Sequence, residues 1–317
     1  MDGTTFWKNF NLGKELDIAG SFIYNGLHSF YLMESFYYEE EVFEFLYNIS
    51  VGIERLEKIC IILIEHNTIK DQNKFEKSLI THNHSELFRR IGQKYENNLG
   101  PVHNAFLQLL SQFYNSWRYD RYTLNEVANY GKEQKALINF IVKYLDVDIK
   151  VDFPFNITPN EQRITKFVGQ VIGRISSFLY EIICAEASSQ NIYTDEVRVD
   201  SKAHKIFMRK EYDFRNESIV WKEILIYLVN NDYLESTAMD IIRSIEPLPF
   251  ERALIGDYIK SFESSLLRQR IIDEVEAIYD GRKDIAERLS LLDIFNRFGQ
   301  IAEDLDYDDL EGEDKDW

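Results

Sequence analysis

The stretch that decides the fold is V-G-I-E-R-L-E-K-I-C-I-I-L-I-E-H-N, residues 51–67. Ile53, Leu56, Ile59, Cys60 and Leu63 recur at three- and four-residue spacing, which puts them on one face of a helix, while Glu54, Glu57 and Lys58 lie off it. The preceding segment, G-S-F-I-Y-N-G-L-H-S-F-Y-L-M-E-S-F-Y-Y-E-E-E-V-F-E-F-L-Y-N-I-S, has the same period, many aromatic rings and an acidic knot at Glu39, Glu40 and Glu41. A third helix is expected from Val102 into F-Y-N-S-W-R-Y-D-R-Y, residues 113–122, and to end near Tyr122.

Composition agrees with helices. The chain has 317 residues, 45% hydrophobic and 14% aromatic, but only 5 prolines and 14 glycines, so it can bury a large core with few turns. T-L-N-E and T-P-N-E read as helix starts. Thr123 with Glu126 and Thr158 with Glu161 are spaced as capping boxes, and Pro159 would take the first helical position. Between them Val147, Ile149, Val151 and Phe153 alternate, the pattern of a short strand or an extended linker.

This organisation predicts an all-α protein with a helical bundle over 1–145, a linker at 146–158, a second helical region at 159–302 and a disordered acidic tail at 303–317. In the second region a long helix is expected from Pro159 to about Gln190. Its Gly169 and Gly173 would let a neighbouring helix approach, and helices at Glu251–Tyr279 and Lys283–Asp304 would follow. Ile259, Phe262, Leu266, Ile271, Val275 and Ile278 are the expected packing face of the first of these.

The net charge is -18, of which residues 303–317 contribute -8. Such a chain has no long cationic face for coating duplex DNA, so any nucleic-acid contact must be a local patch. Cys60 and Cys184 stand far apart in apolar runs and read as buried thiols of a reducing compartment. With no charged-then-apolar pattern in M-D-G-T-T-F-W-K-N-F, the expectation is a cytoplasmic protein without a membrane span.

Two clusters carry candidate chemistry. In F-Y-N-S-W-R-Y-D-R-Y, Arg118 and Arg121 share a helix face, and Tyr114, Arg118 and Tyr122 stack down one side, with Phe113 and Trp117 as a neighbouring apolar stripe. Guanidinium forks beside phenols suit a phosphate and a stacked base; equally, cations at a helix end over an aromatic core suit the helix dipole. In T-H-N-H-S-E-L-F-R-R, His82, His84 and Glu86 alternate, so both histidines converge only on an extended segment. The plainer reading is a polar helix start in which a histidine pairs with Glu86. No further histidine, cysteine or acid cluster accompanies them, so neither a metal nor a cofactor is expected.

Together, G-x-E-x-L-x-K at residues 52–58, H-x-E-L at 84–87 and R-Y-x-R-Y at 118–122 resemble the HEPN superfamily of all-α prokaryotic toxin and defence domains, over residues 20–145. The resemblance implies an up-down bundle, often dimeric, with its site in a groove between helices and a setting in phage defence or toxin–antitoxin pairs. Active members cut RNA without metal through an arginine followed four to six residues later by histidine. That pattern does not follow Arg118 or Arg121, and its sole match is Arg198 to His204, outside the resembling segment, where Asp200 and His204 read equally as a helix-surface pair.

Three roles follow. The first is an RNA- or nucleotide-binding or regulatory component using Arg118, Arg121, Tyr114 and Tyr122, with His82 or His84 in the same groove. The second is a diverged metal-independent ribonuclease in which His82 or His84 serves Arg118 or Arg121. The third is a scaffold whose acidic surface and tail engage a basic protein partner.

Overall fold

The computed structural model describes residues 3–120, 122, 124, 131–152, 156–192, 197–230, 237–262, 264 and 267–293, apart from the side chains of 237–239 and 241. The chain is all-α: among the described residues its only sheet is a two-stranded hairpin. The contacts divide it into Met1–Phe214 and Arg215–Trp317.

In the first unit, α1 (Leu12–Leu32) and α2 (Glu39–Glu65) form a helical hairpin. The helices run antiparallel, since Gly52 meets Ile23 while Gly26 meets Ile49. At Gly52 a Cβ would stand 2.6 Å from Ile23 Cγ1, so this glycine sets how closely the pair can pack. Phe30, Phe36 and Phe45 interlock across the turn, with Phe30 and Phe45 ring centres 4.5 Å apart.

Around α2 stand α3 (Gln72–Ser78), α4 (His84–Ile91), α5 (Pro101–Gln112), α6 (Lys132–Leu145) and, after the hairpin β1 (Val151–Asp152) and β2 (Asn156–Ile157), α7 (Gln162–Ser189). Contacts to α1, α4, α5, α6 and α7 make α2 the centre of the bundle. That is why Glu54 and Glu57, placed off the apolar face by the sequence, are buried: over residues 48–63 this central helix has no exposed position. By length and composition α7 is apolar enough to cross a membrane, and 61% of its most apolar window is buried within the bundle.

The linker expected at 146–158 is instead built into this unit. Val151 pairs with Ile157, and Ser35 bridges Pro159 across the connector between α1 and α2. Asn160 then donates to Glu34 O (2.9 Å) and, through its side chain, to Phe30 O (2.7 Å). These bonds tie the chain back to the first hairpin, and the division falls at 214/215. The helix start also moves: Thr158 Oγ1 accepts from Lys150 N in the hairpin, Glu161 is the cap residue without a side-chain cap bond, and helix begins at Gln162. Thr123 with Glu126 lies outside the described residues, as do Phe153 and residues 303–317.

The glycine pair of α7 admits a loop, not a helix. After α8 (Lys202–Phe207), a Cβ on Gly169 would overlap the Tyr212 carbonyl, and one on Gly173 would overlap the Tyr212 ring. The Tyr212 hydroxyl lies 2.9 Å from Ser177 Oγ, one turn further along α7. Because α8 begins at Lys202, Asp200 precedes the helix that holds His204.

The second unit contains α9 (Arg215–Asn230), α10 (Thr237–Ser244), α11 (Ile255–Ser261), α12 (Gln269–Asp280) and α13 (Ile285–Leu292). The long helix expected at Glu251–Tyr279 is thus two, because helix stops at Ser261 and restarts at Gln269. Ile271 is buried as anticipated, whereas Ile259 and Phe262 are exposed; Leu266 lies outside the described residues.

Gly169→Val should lower unfolding stability by about 2 kcal/mol, because the side chain drives Tyr212 off α7. Urea unfolding checks this against Gly256→Ala, where nothing lies within 4 Å of the added carbon.

Candidate functional site

The site is built where the segment before α4 crosses α2. Residues 80–83 are non-helical, and Asn83 caps α4 by accepting from Glu86 N at 3.1 Å. In this extended run the alternation of His82 and His84 sends both rings toward α2, whose Glu54 and Glu57 lie three apart on one face. His82 Nδ1 is 2.9 Å from Glu54 Oε2, and His84 Nδ1 is 2.9 Å from Glu57 Oε2. Glu86, the partner expected from the sequence, is exposed.

The two pairs differ in access. His84 and Glu57 side chains are both 0% exposed, and His84 Nε2 and Glu57 Oε1 have no hydrogen-bond partner. This pair belongs to the core. Burial pushes the Glu57 carboxyl above its usual range, an effect that the adjacent imidazole opposes. His82 remains 45% exposed. Glu54 holds it from below and also accepts from Lys58 Nζ at 2.6 Å, a second anchor that fixes the carboxylate.

His82, Glu54 and Lys58 line a cleft of about 390 Å³. Trp7 and Tyr114 supply aromatic wall, Leu12, Val51 and Ile59 an apolar floor, and the Arg55–Glu15 ion pair a further charged edge. Tyr114 comes from a π-helical turn, Phe113–Trp117, inserted between α5 and the helical turn Arg118–Asp120. Phe113 turns into the core against Phe43 (5.2 Å), while Tyr114 faces His82 edge-on (4.8 Å). Burial raises the Tyr114 phenol above its ordinary range, so it remains a proton donor at neutral pH.

Arg118 stacks on the same Tyr114 ring at 3.7 Å and on Tyr119 at 4.4 Å, and its buried Nε has no hydrogen-bond partner. Stacking on the two phenol rings leaves the planar N–H edge, the part that recognises phosphate or carboxylate. The structure therefore sets His82 and Arg118 against the same Tyr114 ring. It places the other candidates elsewhere. His84 is in the core. Tyr122 stands 86% exposed in a turn, and Tyr119, not singled out from the sequence, stacks on Arg118 instead. Arg121 lies outside the described residues. Glu54 was also missed as a site residue; the signal was its position in the G-x-E-x-L-x-K run. Among the described residues no group of three or more histidine, cysteine or acidic side chains is placed to hold a metal.

The Glu57 carboxyl gives a pH signature. A carboxyl with a raised folded-state value contributes stability that is full below its unfolded value near 4.5 and is lost as pH rises through the folded value. Glu57→Gln should therefore flatten the decline in stability above pH 4.5, measured by urea unfolding at a series of pH values up to 8. An unchanged slope would refute the assignment.

Compared with known proteins, the chain matches no family model, no curated protein and no solved structure.

Proposed function

We propose that the protein binds RNA or a nucleotide at the cleft beside Tyr114, as a HEPN-like binding or regulatory component of a prokaryotic phage-defence or toxin–antitoxin system acting in the cytoplasm. The observation that carries this reading is Arg118. A guanidinium stacked on Tyr114 and Tyr119, with a buried Nε–H that finds no hydrogen-bond partner among the described residues, is preorganised for an anion. Trp7 and Tyr114 in the adjoining cleft offer rings for a base. A small cationic element on an acidic protein favours a short single-stranded or nucleotide ligand over duplex.

The Glu54–His82 pair favours a second reading, metal-independent RNA cleavage. A carboxylate accepting from Nδ1–H orients the imidazole and leaves the Nε2 lone pair to take a proton. In that reaction His82 removes the ribose 2′-hydroxyl proton, the 2′-oxygen attacks phosphorus, and the bond to the 5′-oxygen breaks as that oxygen is protonated from water. Arg118 would stabilise the charged phosphorane. In this reading the sequence spacing of active HEPN enzymes would be replaced by His82 and Arg118, which lie against the same Tyr114 ring.

The two readings separate on one experiment with single-stranded RNA in EDTA. Arg118→Ala should weaken binding about 10- to 100-fold, the loss of charge-assisted hydrogen bonds, while circular dichroism stays unchanged. His82→Ala should leave binding within about twofold, and should abolish any cleavage that the wild type shows. Unaltered affinity in Arg118→Ala would remove the basis of both readings.

A further inference from the structure

A second cleft, of about 500 Å³, opens between α4 and α5. Phe88 and Leu107 form its buried apolar floor, and Ser85, Arg89, Asn104 and Gln108 stand around it. The volume lies within the range of small-molecule sites, and the mixture of apolar floor with a few polar groups is the usual one.

Its charge pattern sets it apart. In the first cleft each cation is matched by a carboxylate, Arg55 by Glu15 and Lys58 by Glu54. In the second, Arg89 is the sole charged lining residue, and no hydrogen bond or ion pair engages it among the described residues. On a chain of net charge -18, an unneutralised cation facing a cavity draws an anion. Asn104 is already fixed: its side-chain nitrogen donates to Leu99 O (3.1 Å), and its oxygen accepts from Asn97 Nδ2 (3.1 Å). Gln108, one turn further along α5, makes no such bond among the described residues, so its amide can both donate and accept toward a ligand.

We propose that this cleft binds a nucleoside monophosphate, with Arg89 on the phosphate, the Gln108 amide on the base edge and the base lying over Phe88 and Leu107. The three groups match the three parts of such a molecule: one cation for one phosphate, one free amide for a planar hydrogen-bonding edge, and an apolar floor for a ring. This site is separate from the cleft beside Tyr114 and does not depend on what that cleft binds.

Titration calorimetry of the full chain with the four ribonucleoside 5′-monophosphates, their nucleosides and inorganic phosphate tests it. At least one monophosphate should bind, about tenfold or more tightly than either its nucleoside or inorganic phosphate. Arg89→Ala should weaken it about tenfold or more, Gln108→Leu should weaken it and blur the preference among bases, and Lys166→Ala, which removes an exposed cation of α7 outside both clefts, should leave it unchanged. Arg89 is exposed and unpaired, so its removal leaves the fold intact. Three results would overturn the proposal: no monophosphate bound at millimolar concentration, binding lost in Arg118→Ala but kept in Arg89→Ala, or inorganic phosphate bound as tightly as the nucleotide.

Discussion

A helix surrounded by other helices has nowhere to solvate a charge, and α2 carries Glu54 and Glu57 in its middle. Moving a carboxylate out of water is expensive unless a partner and hydrogen bonds meet it. The partners come from a single short segment, where His82 and His84 alternate on extended chain and reach the two acids in register. The rest of the bundle follows from this constraint. The chain before α4 must stay non-helical, α4 must start at His84, and α5 must pack outside it. Each apolar side chain buried around the pair adds on the order of 2 kcal/mol, so the packing can carry a polar seam that would not stabilise the fold alone.

The same constraint separates structure from chemistry. Both histidines make the same bond at the same distance, yet one is sealed and the other half open. The difference is position across α2: Glu57 faces the packed interior, whereas Glu54 faces the edge where Trp7, Leu79 and Tyr114 leave a cleft. The π-helical turn adds to this. Within it Phe113 packs inward on Phe43 while the next residue, Tyr114, meets His82, and Arg118, just after the turn, stacks on Tyr114.

Much of the architecture was legible from periodicity. The central helices, the α7 span to within a few residues and the helical class follow from three- and four-residue spacing, which reports local faces well. What failed were inferences needing tertiary knowledge. A capping-box pattern at Thr158 and Glu161 does not show that Thr158 is already engaged by Lys150 N. A glycine pair does not say whether a helix or Tyr212 fills the space. An alternating run at 147–153 cannot show that Asn160 is tied to Phe30. At the site, the aromatic-arginine run and the histidine pair were visible because they are rare in this composition. Glu54 and Glu57 were hidden among 54 acidic residues, since burial, the property that singles them out, has no local signature.

Cation pairing then ranks the surfaces that remain. A guanidinium or ammonium already matched by a carboxylate gains little from a ligand phosphate, because the new bond replaces an old one. Arg55 and Lys58 are in that position, as is Arg90, held by Glu65 at 2.7 Å. Among the described residues Arg118 and Arg89 are not: one is stacked on Tyr114 and Tyr119 with an Nε unpaired, the other is the charged residue of its cleft. In so acidic a protein a cation left without a carboxylate is conspicuous, because negative partners surround it on average. One such arginine stacks on Tyr114 of the first cleft and the other lines the cleft between α4 and α5, while His82 just before α4 and His84 at its start hold the central acids of the core.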